Sequence, residues 1–126
     1  MKTIKQMLDT LLSPNNTVTM PDQFEAFQEY RQAQYFADSA RYKQTFSKTS
    51  SESNTDERNA MWNYLSAALR GHPQAQYELG MAYFLGQLGL AKDQRLAEQW
   101  LKRAAERGHI GAQEQLNEIY QFSAFS

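Results

Sequence analysis

Residues 56–83 and 93–120 align without a gap at an offset of 37 residues. The shared positions include Asp56/Asp93, Ala60/Ala97, Ala67/Ala104, Ala68/Ala105, Gly71/Gly108, His72/His109, Ala75/Ala112, Gln76/Gln113, Leu79/Leu116 and Tyr83/Tyr120. A period of this length, with helical spacing inside it, is the mark of stacked helix pairs. No single pair can bury both its faces, so neighbours must stack. The repeated alanines let helix axes approach and cost little side-chain entropy. Leu79, Leu116, Trp100 and Leu101 fill the larger gaps between layers. Tyr83 and Tyr120 can bury a ring while the hydroxyl reaches a carbonyl or water. The expected fold is all-α, with five or six helices in antiparallel pairs.

Glycines and prolines punctuate the pattern. Gly71 and Gly108 should end helices, since glycine takes the left-handed cap without steric cost. Pro73 suits the first position of the helix that follows. Gly86 and Gly89 mark a loop, and Asp93 should cap the next helix, which runs to Arg107. A last helix covers 110–122. Upstream, Gln-Ala-Gln-Tyr occurs at 32–35 and again at 74–77, an offset of 42. Residues 30–70 are thus expected to form a degenerate repeat ahead of the repeat at 73–107. Helical rhythm from Pro21 to about Phe46 is long for one element, and a bend near Glu29–Arg31 is expected. Residues 47–55 carry no aromatic or aliphatic side chain, which predicts an exposed loop, with Thr55 capping a helix that starts at Asp56. Residues 1–29 form an N-terminal helical extension, whose apolar positions Ile4, Met7, Leu11 and Leu12 predict a short helix over 2–12 packed as a cap.

The full pattern resembles the Sel-1-like repeat, a relative of the tetratricopeptide repeat. The residues that carry it are Ala75, Leu79, Gly80 and Tyr83, then Gly86, Gly89, Leu90 and Asp93, then Ala97, Trp100, Ala104, Ala105 and Gly108. Asn63 stands where Trp100 would recur, and Asn117 where Gly80 would. The resemblance covers residues 56–120, with no family signature in residues 1–29; residues 1–126 are expected to form one helical-repeat domain. The resemblance implies a short right-handed superhelix of antiparallel helices and a protein-binding or adaptor role, often in bacterial regulation, secretion or envelope processes. It implies no catalytic activity. It also places Gly80 at a close helix crossing.

Composition bounds the chemistry. The chain has 126 residues, with 13 Lys and Arg, 14 Asp and Glu, and a net charge of -1. That balance does not advertise nucleic acid or anionic lipid. Basic residues on the helix holding Arg95, Lys102, Arg103 and Arg107 are interleaved with Glu98 and Glu106, so nucleic-acid binding is disfavoured. There is no cysteine, hence no disulfide framework and no thiolate chemistry. No stretch approaches the ~18 apolar residues of a membrane span, and the N-terminus lacks a signal-peptide core; a cytoplasmic location is expected. His72 and His109 each precede a helix and read as turn or capping residues rather than metal ligands. Nucleotide and hydrolase motifs do not occur. No cofactor and no enzyme activity are expected.

The tetratricopeptide relationship puts the first helix of each pair on a concave surface. Its groove-facing side chains would be Gln74, Tyr77, Met81 and Phe84, with Tyr35 and Tyr42 upstream and Glu114 and Glu118 downstream. Such an aromatic groove with an acidic end would suit a segment with an apolar side and a basic flank. The expected function is a non-enzymatic adaptor or regulatory module with a protein partner. A toxin-neutralising immunity protein and a self-associating structural protein, as a possible homodimer, are the alternatives. Nucleic-acid binding and catalysis rank below them.

Overall fold

The structure is a computed structural model that describes residues 20–46 and 50–124. Among these, five helices follow one another: α1 (Met20–Phe46), α2 (Ser50–Leu69), α3 (Pro73–Leu85), α4 (Gln94–Glu106) and α5 (Ile110–Ala124). Consecutive helices make the closest contacts, so α1–α2 and α3–α4 are hairpins and α5 opens a third unit. The all-α array of helix pairs is as the repeat implies. The helix expected over 2–12 lies outside the described residues. The bend expected near Glu29–Arg31 does not interrupt α1, which is assigned as one helix.

Small residues dominate the interior. Ala33, Ala60, Ala67, Ala68, Ala75, Ala97, Ala104 and Ala112 are all fully buried. Leu79 and Leu101 are the largest side chains buried to that degree. One cluster joins α1, α2 and α3 through Ala33, Ala37, Ala60, Tyr64, Leu65 and Leu79. A second joins α4 and α5 through Leu101, Ala104, Ala112, Leu116 and Ile119, with Tyr77, Met81 and Phe84 of α3 packed against it. The burial of Ala33, Ala37 and Ala40 in α1 matches that of Ala75, Leu79 and Ala82 in α3, position for position at the offset of 42. Of the remaining repeat residues, Tyr83 and Trp100 are half-buried, with the Arg103 guanidinium 4.9 Å from the Trp100 ring centre.

The stretch 47–55 requires a correction. Residues 50–55 are not loop: they are the first turns of α2, and Thr55 lies inside the helix instead of capping it. The physical reason is an absence of stops, since no glycine or proline occurs between 47 and 70. The corresponding turn of the second hairpin holds Gly86 and Gly89, which with Leu88 take positive φ of 71°, 75° and 57°. Polar side chains then tie the longer first hairpin together. Asp56 is buried and accepts from Ser39 Oγ at 2.8 Å and Lys43 Nζ at 2.8 Å. The Lys43 hydrogen bond, then the Ser39 one, hold its carboxyl below the usual range. Gln44 Nε2 donates to Glu57 Oε1 at 2.6 Å.

Gly80 sits where α3 crosses α4. A Cβ there would lie 2.9 Å from Leu101 Cγ and 3.3 Å from the Ala97 carbonyl oxygen. Leu101 is itself fully buried and has nowhere to retreat. Gly80→Leu should therefore overpack the crossing and destabilise the chain by ~1–3 kcal/mol, while Leu79→Ala should open a cavity costing ~2–5 kcal/mol. Chemical denaturation checks both; unchanged midpoints would show that α3 does not pack in this register.

Candidate functional site

Two junctions turn one hairpin into the next, and both are built from the same four residue types. At the first, Gly71 has φ 93°. Its N–H donates to the Ala68 carbonyl at 3.0 Å, and the His72 N–H donates to the Ala67 carbonyl at 3.1 Å. At the second, Gly108 has φ 88°, Gly108 N–H donates to Ala105 at 2.9 Å, and His109 N–H donates to Ala104 at 3.0 Å. This pair of bonds is the Schellman motif, which needs a left-handed residue at the glycine position. The Ala in the repeated Ala-Ala-x-x-Gly pattern thus supplies carbonyls as well as a small surface.

Each histidine then starts the following helix. His72 Nδ1 accepts the Ala75 N–H at 3.2 Å, and His109 Nδ1 accepts the Ala112 N–H at 3.0 Å. An N-cap acceptor satisfies one of the orphan donors of a helix start. The capping role expected for both histidines is what the geometry has. The rings also stack on a tyrosine of the preceding pair: His72 on Tyr30 at 4.7 Å, His109 on Tyr77 at 4.4 Å. A repeated glutamine completes the junction, with Gln76 Nε2 donating to the Ala68 carbonyl and Gln113 Nε2 to the Ala105 carbonyl, each at 3.1 Å. Gln76 and Gln113 stand out in the sequence only as shared positions, and their role needed coordinates.

The eight residues assigned to a groove fall into separate places. Tyr77, Met81 and Phe84 are half-buried on the side of α3 that packs against the α4–α5 cluster. Gln74 joins them: its Oε1 is 2.7 Å from His109 Nε2, and its Nε2 donates to Glu78 Oε1 at 3.0 Å. Since His109 Nδ1 is an acceptor, Nε2 carries the proton donated to Gln74. Glu114 and Glu118 are exposed on α5. They share a flank with Gly111 at helical spacing, and a Cβ at Gly111 would lie 3.5 Å from the Tyr77 ring. Tyr35 and Tyr42 are both 66% exposed on α1, in contact with Phe36 and Phe46 respectively. Tyr35 stands at the repeat position of Tyr77, yet Tyr30 makes the ring stack that Tyr77 makes.

Sequence comparison now bears on this arrangement. Residues 52–72 and 73–109 match the Sel1 repeat family. Residues 52–109 are thus two Sel1 repeats. The two matched segments meet at the Gly71–His72–Pro73 junction, and the second ends at His109 of the equivalent junction. Among curated proteins, the ERAD-associated E3 ubiquitin-protein ligase component HRD3A of Arabidopsis thaliana is 36% identical over 53 residues. That alignment covers 42% of this chain and 8% of the plant protein, so the chain spans a small part of that relative's length. No solved structure matches. Sel1 repeats are a non-catalytic class of protein-interaction scaffold. Among the described residues, no helix is long and apolar enough to cross a membrane, and no three His, Asp or Glu side chains are gathered as a metal would require.

Burial holds the His72 imidazole below its ordinary range. Between that depressed value and the ordinary one of about 6.5, the unfolded chain binds more protons than the folded one. The stabilisation is therefore complete above the ordinary value and is lost as pH falls through the folded one. The denaturation midpoint should drop on acidification from about pH 7 to about pH 5. A His72→Asn variant keeps a capping acceptor that does not titrate, and its midpoint should drop less. Equal drops would exclude His72 as the acid-sensitive cap.

Proposed function

We propose that this protein is a small interaction module that binds a protein segment on the surface formed by α3 and α5. The reading is supported by the half-exposed row Tyr77, Met81 and Phe84, by the approach of Gly111 on α5 to the Tyr77 ring, and by the exposed Glu114 and Glu118 that follow Gly111 at helical spacing. Rigid aromatic rings give contact area at low entropic cost, and methionine adapts to irregular partners. Gln74 is held in place by His109 and Glu78, so one polar group is preorganised beside the row. The matching segment presents an apolar side to the rings and a basic flank to the two carboxylates. Two repeats of a scaffold family support an adaptor role, and the name of the plant relative, a ligase component, is in keeping with work as one part of an assembly. A cytoplasmic site of action belongs to the same proposal.

The test uses charge rather than packing, because Tyr77, Met81 and Phe84 also hold the core. Glu114 and Glu118 are exposed, so a Glu114→Arg/Glu118→Arg variant should stay within about 0.5 kcal/mol of the parent stability. Affinity capture from native lysate, read by mass spectrometry, should lose a basic partner with the variant while circular dichroism is unchanged. A partner captured equally by both proteins would reject this surface.

A further inference from the structure

α1 is apolar on two opposite faces. Ala26, Ala33, Ala37 and Ala40 form the inward stripe and are buried. Phe24, Tyr35, Tyr42 and Phe46, with Phe27 at the edge, form an outward stripe whose members are 48–73% exposed. On a helix of 3.6 residues per turn, the first four lie within about 40° of one another and about half a turn from the alanines. At 1.5 Å per residue the stripe is about 33 Å long. The links from α1 to its neighbours use other positions: Glu25 and Glu29 to Arg70, Ser39 and Lys43 to Asp56, and Tyr30 to His72. A helix with apolar side chains on both sides has two surfaces to cover, and exposed aromatic rings ranged along one face mark a contact.

We propose that the outward stripe pairs with the same stripe of a second copy, antiparallel about a two-fold axis at Tyr35. A two-fold interface must be self-complementary, and this stripe has that property. The charged positions on it are Arg31 and Asp38, of opposite sign and on opposite sides of Tyr35. An antiparallel copy sets Tyr35 on Tyr35, Arg31 beside Asp38 twice, Phe27 beside Tyr42 and Phe24 beside Phe46. A parallel copy would set Arg31 on Arg31 and Asp38 on Asp38. Asp38 accepts from Arg41 at 2.6 Å through one carboxylate oxygen, both side chains being largely exposed, which leaves its other oxygen for the partner's arginine. As the short helix expected from the sequence, residues 2–12 would span about 16 Å, half the stripe, and would cover less of it than a second copy does. This pairing uses none of the residues of the α3–α5 surface, so either can fail alone.

The absence of cysteine makes the test clean. Single substitutions Tyr35→Cys, Phe24→Cys and Phe46→Cys in the full chain are oxidised mildly with glutathione disulfide, which leaves as two thiols, with circular dichroism confirming the fold. Tyr35→Cys should give a covalent dimer. Phe24→Cys and Phe46→Cys should each give no covalent dimer alone and cross-link when mixed. Self-linking of Phe24→Cys would overturn the antiparallel register. Sedimentation equilibrium of the unaltered chain should show a concentration-dependent dimer. Arg31→Asp should weaken it about tenfold, and the Arg31→Asp/Asp38→Arg swap should restore it. A monomer at every concentration, or a swap no better than the single reversal, would overturn the proposal and leave the stripe to residues 2–12 or to a foreign partner.

Discussion

The glycine–histidine junction is the constraint on which this structure depends. A helix must stop, turn and start again within three residues, and every backbone group freed by that manoeuvre needs a partner. The left-handed glycine lets two N–H groups fold back onto the carbonyls of the helix that ends. The histidine takes up a donor of the helix that begins, and the glutamine four residues later returns to a carbonyl of the one before. Because the imidazole also stacks on a tyrosine of the previous pair, the hydrogen bonding of one junction and the contact between repeats are set by a single ring. A one-dimensional array is stabilised by such nearest-neighbour terms, and here two of them share an identical chemical design.

Position in the array then decides what each helix face can do. α3 is an interior first helix: Ala75 and Leu79 face the first hairpin, Gly80 meets α4, and Tyr77, Met81 and Phe84 pack toward α5 while keeping part of their surface open. α1 occupies the corresponding place in the first unit without a described unit before it. Its inner alanines are buried as in α3, but its outer aromatics have no described neighbour. The same repeat therefore presents a mixed aromatic and acidic surface in one place and an aromatic helix face in another.

Much of the fold was legible because the repeat encodes backbone events. Gly71, Gly108, Pro73 and Asp93 mark helix ends by their own conformational or capping chemistry, and the alanine spacing gives the buried faces. Gly80 was legible at the helix crossing through the family pattern. Residues 50–55 misled because polarity says that a segment is solvated, not that it is irregular; without glycine or proline the helix continues. The site was less legible. Tyr35 and Tyr42 correspond to Tyr77 and Phe84, and α1 buries the same positions as α3, yet Tyr30 makes the histidine stack and Tyr35 and Tyr42 are exposed. A periodic pattern fixes which positions correspond, but not what packs against each of them. The bonds of Gln76 and Gln113 were hidden for a related reason, since a carbonyl acceptor leaves no trace in sequence.

The central claim is that His72 and His109 hold the junctions as neutral rings protonated at Nε2, with Nδ1 accepting from Ala75 and Ala112. Two-bond proton–nitrogen correlation spectra of the labelled imidazoles read that tautomer directly. At neutral pH the account predicts the Nε2–H form for both rings. A neutral ring protonated at Nδ1 in either position would contradict it, since that nitrogen could not then accept the helix N–H.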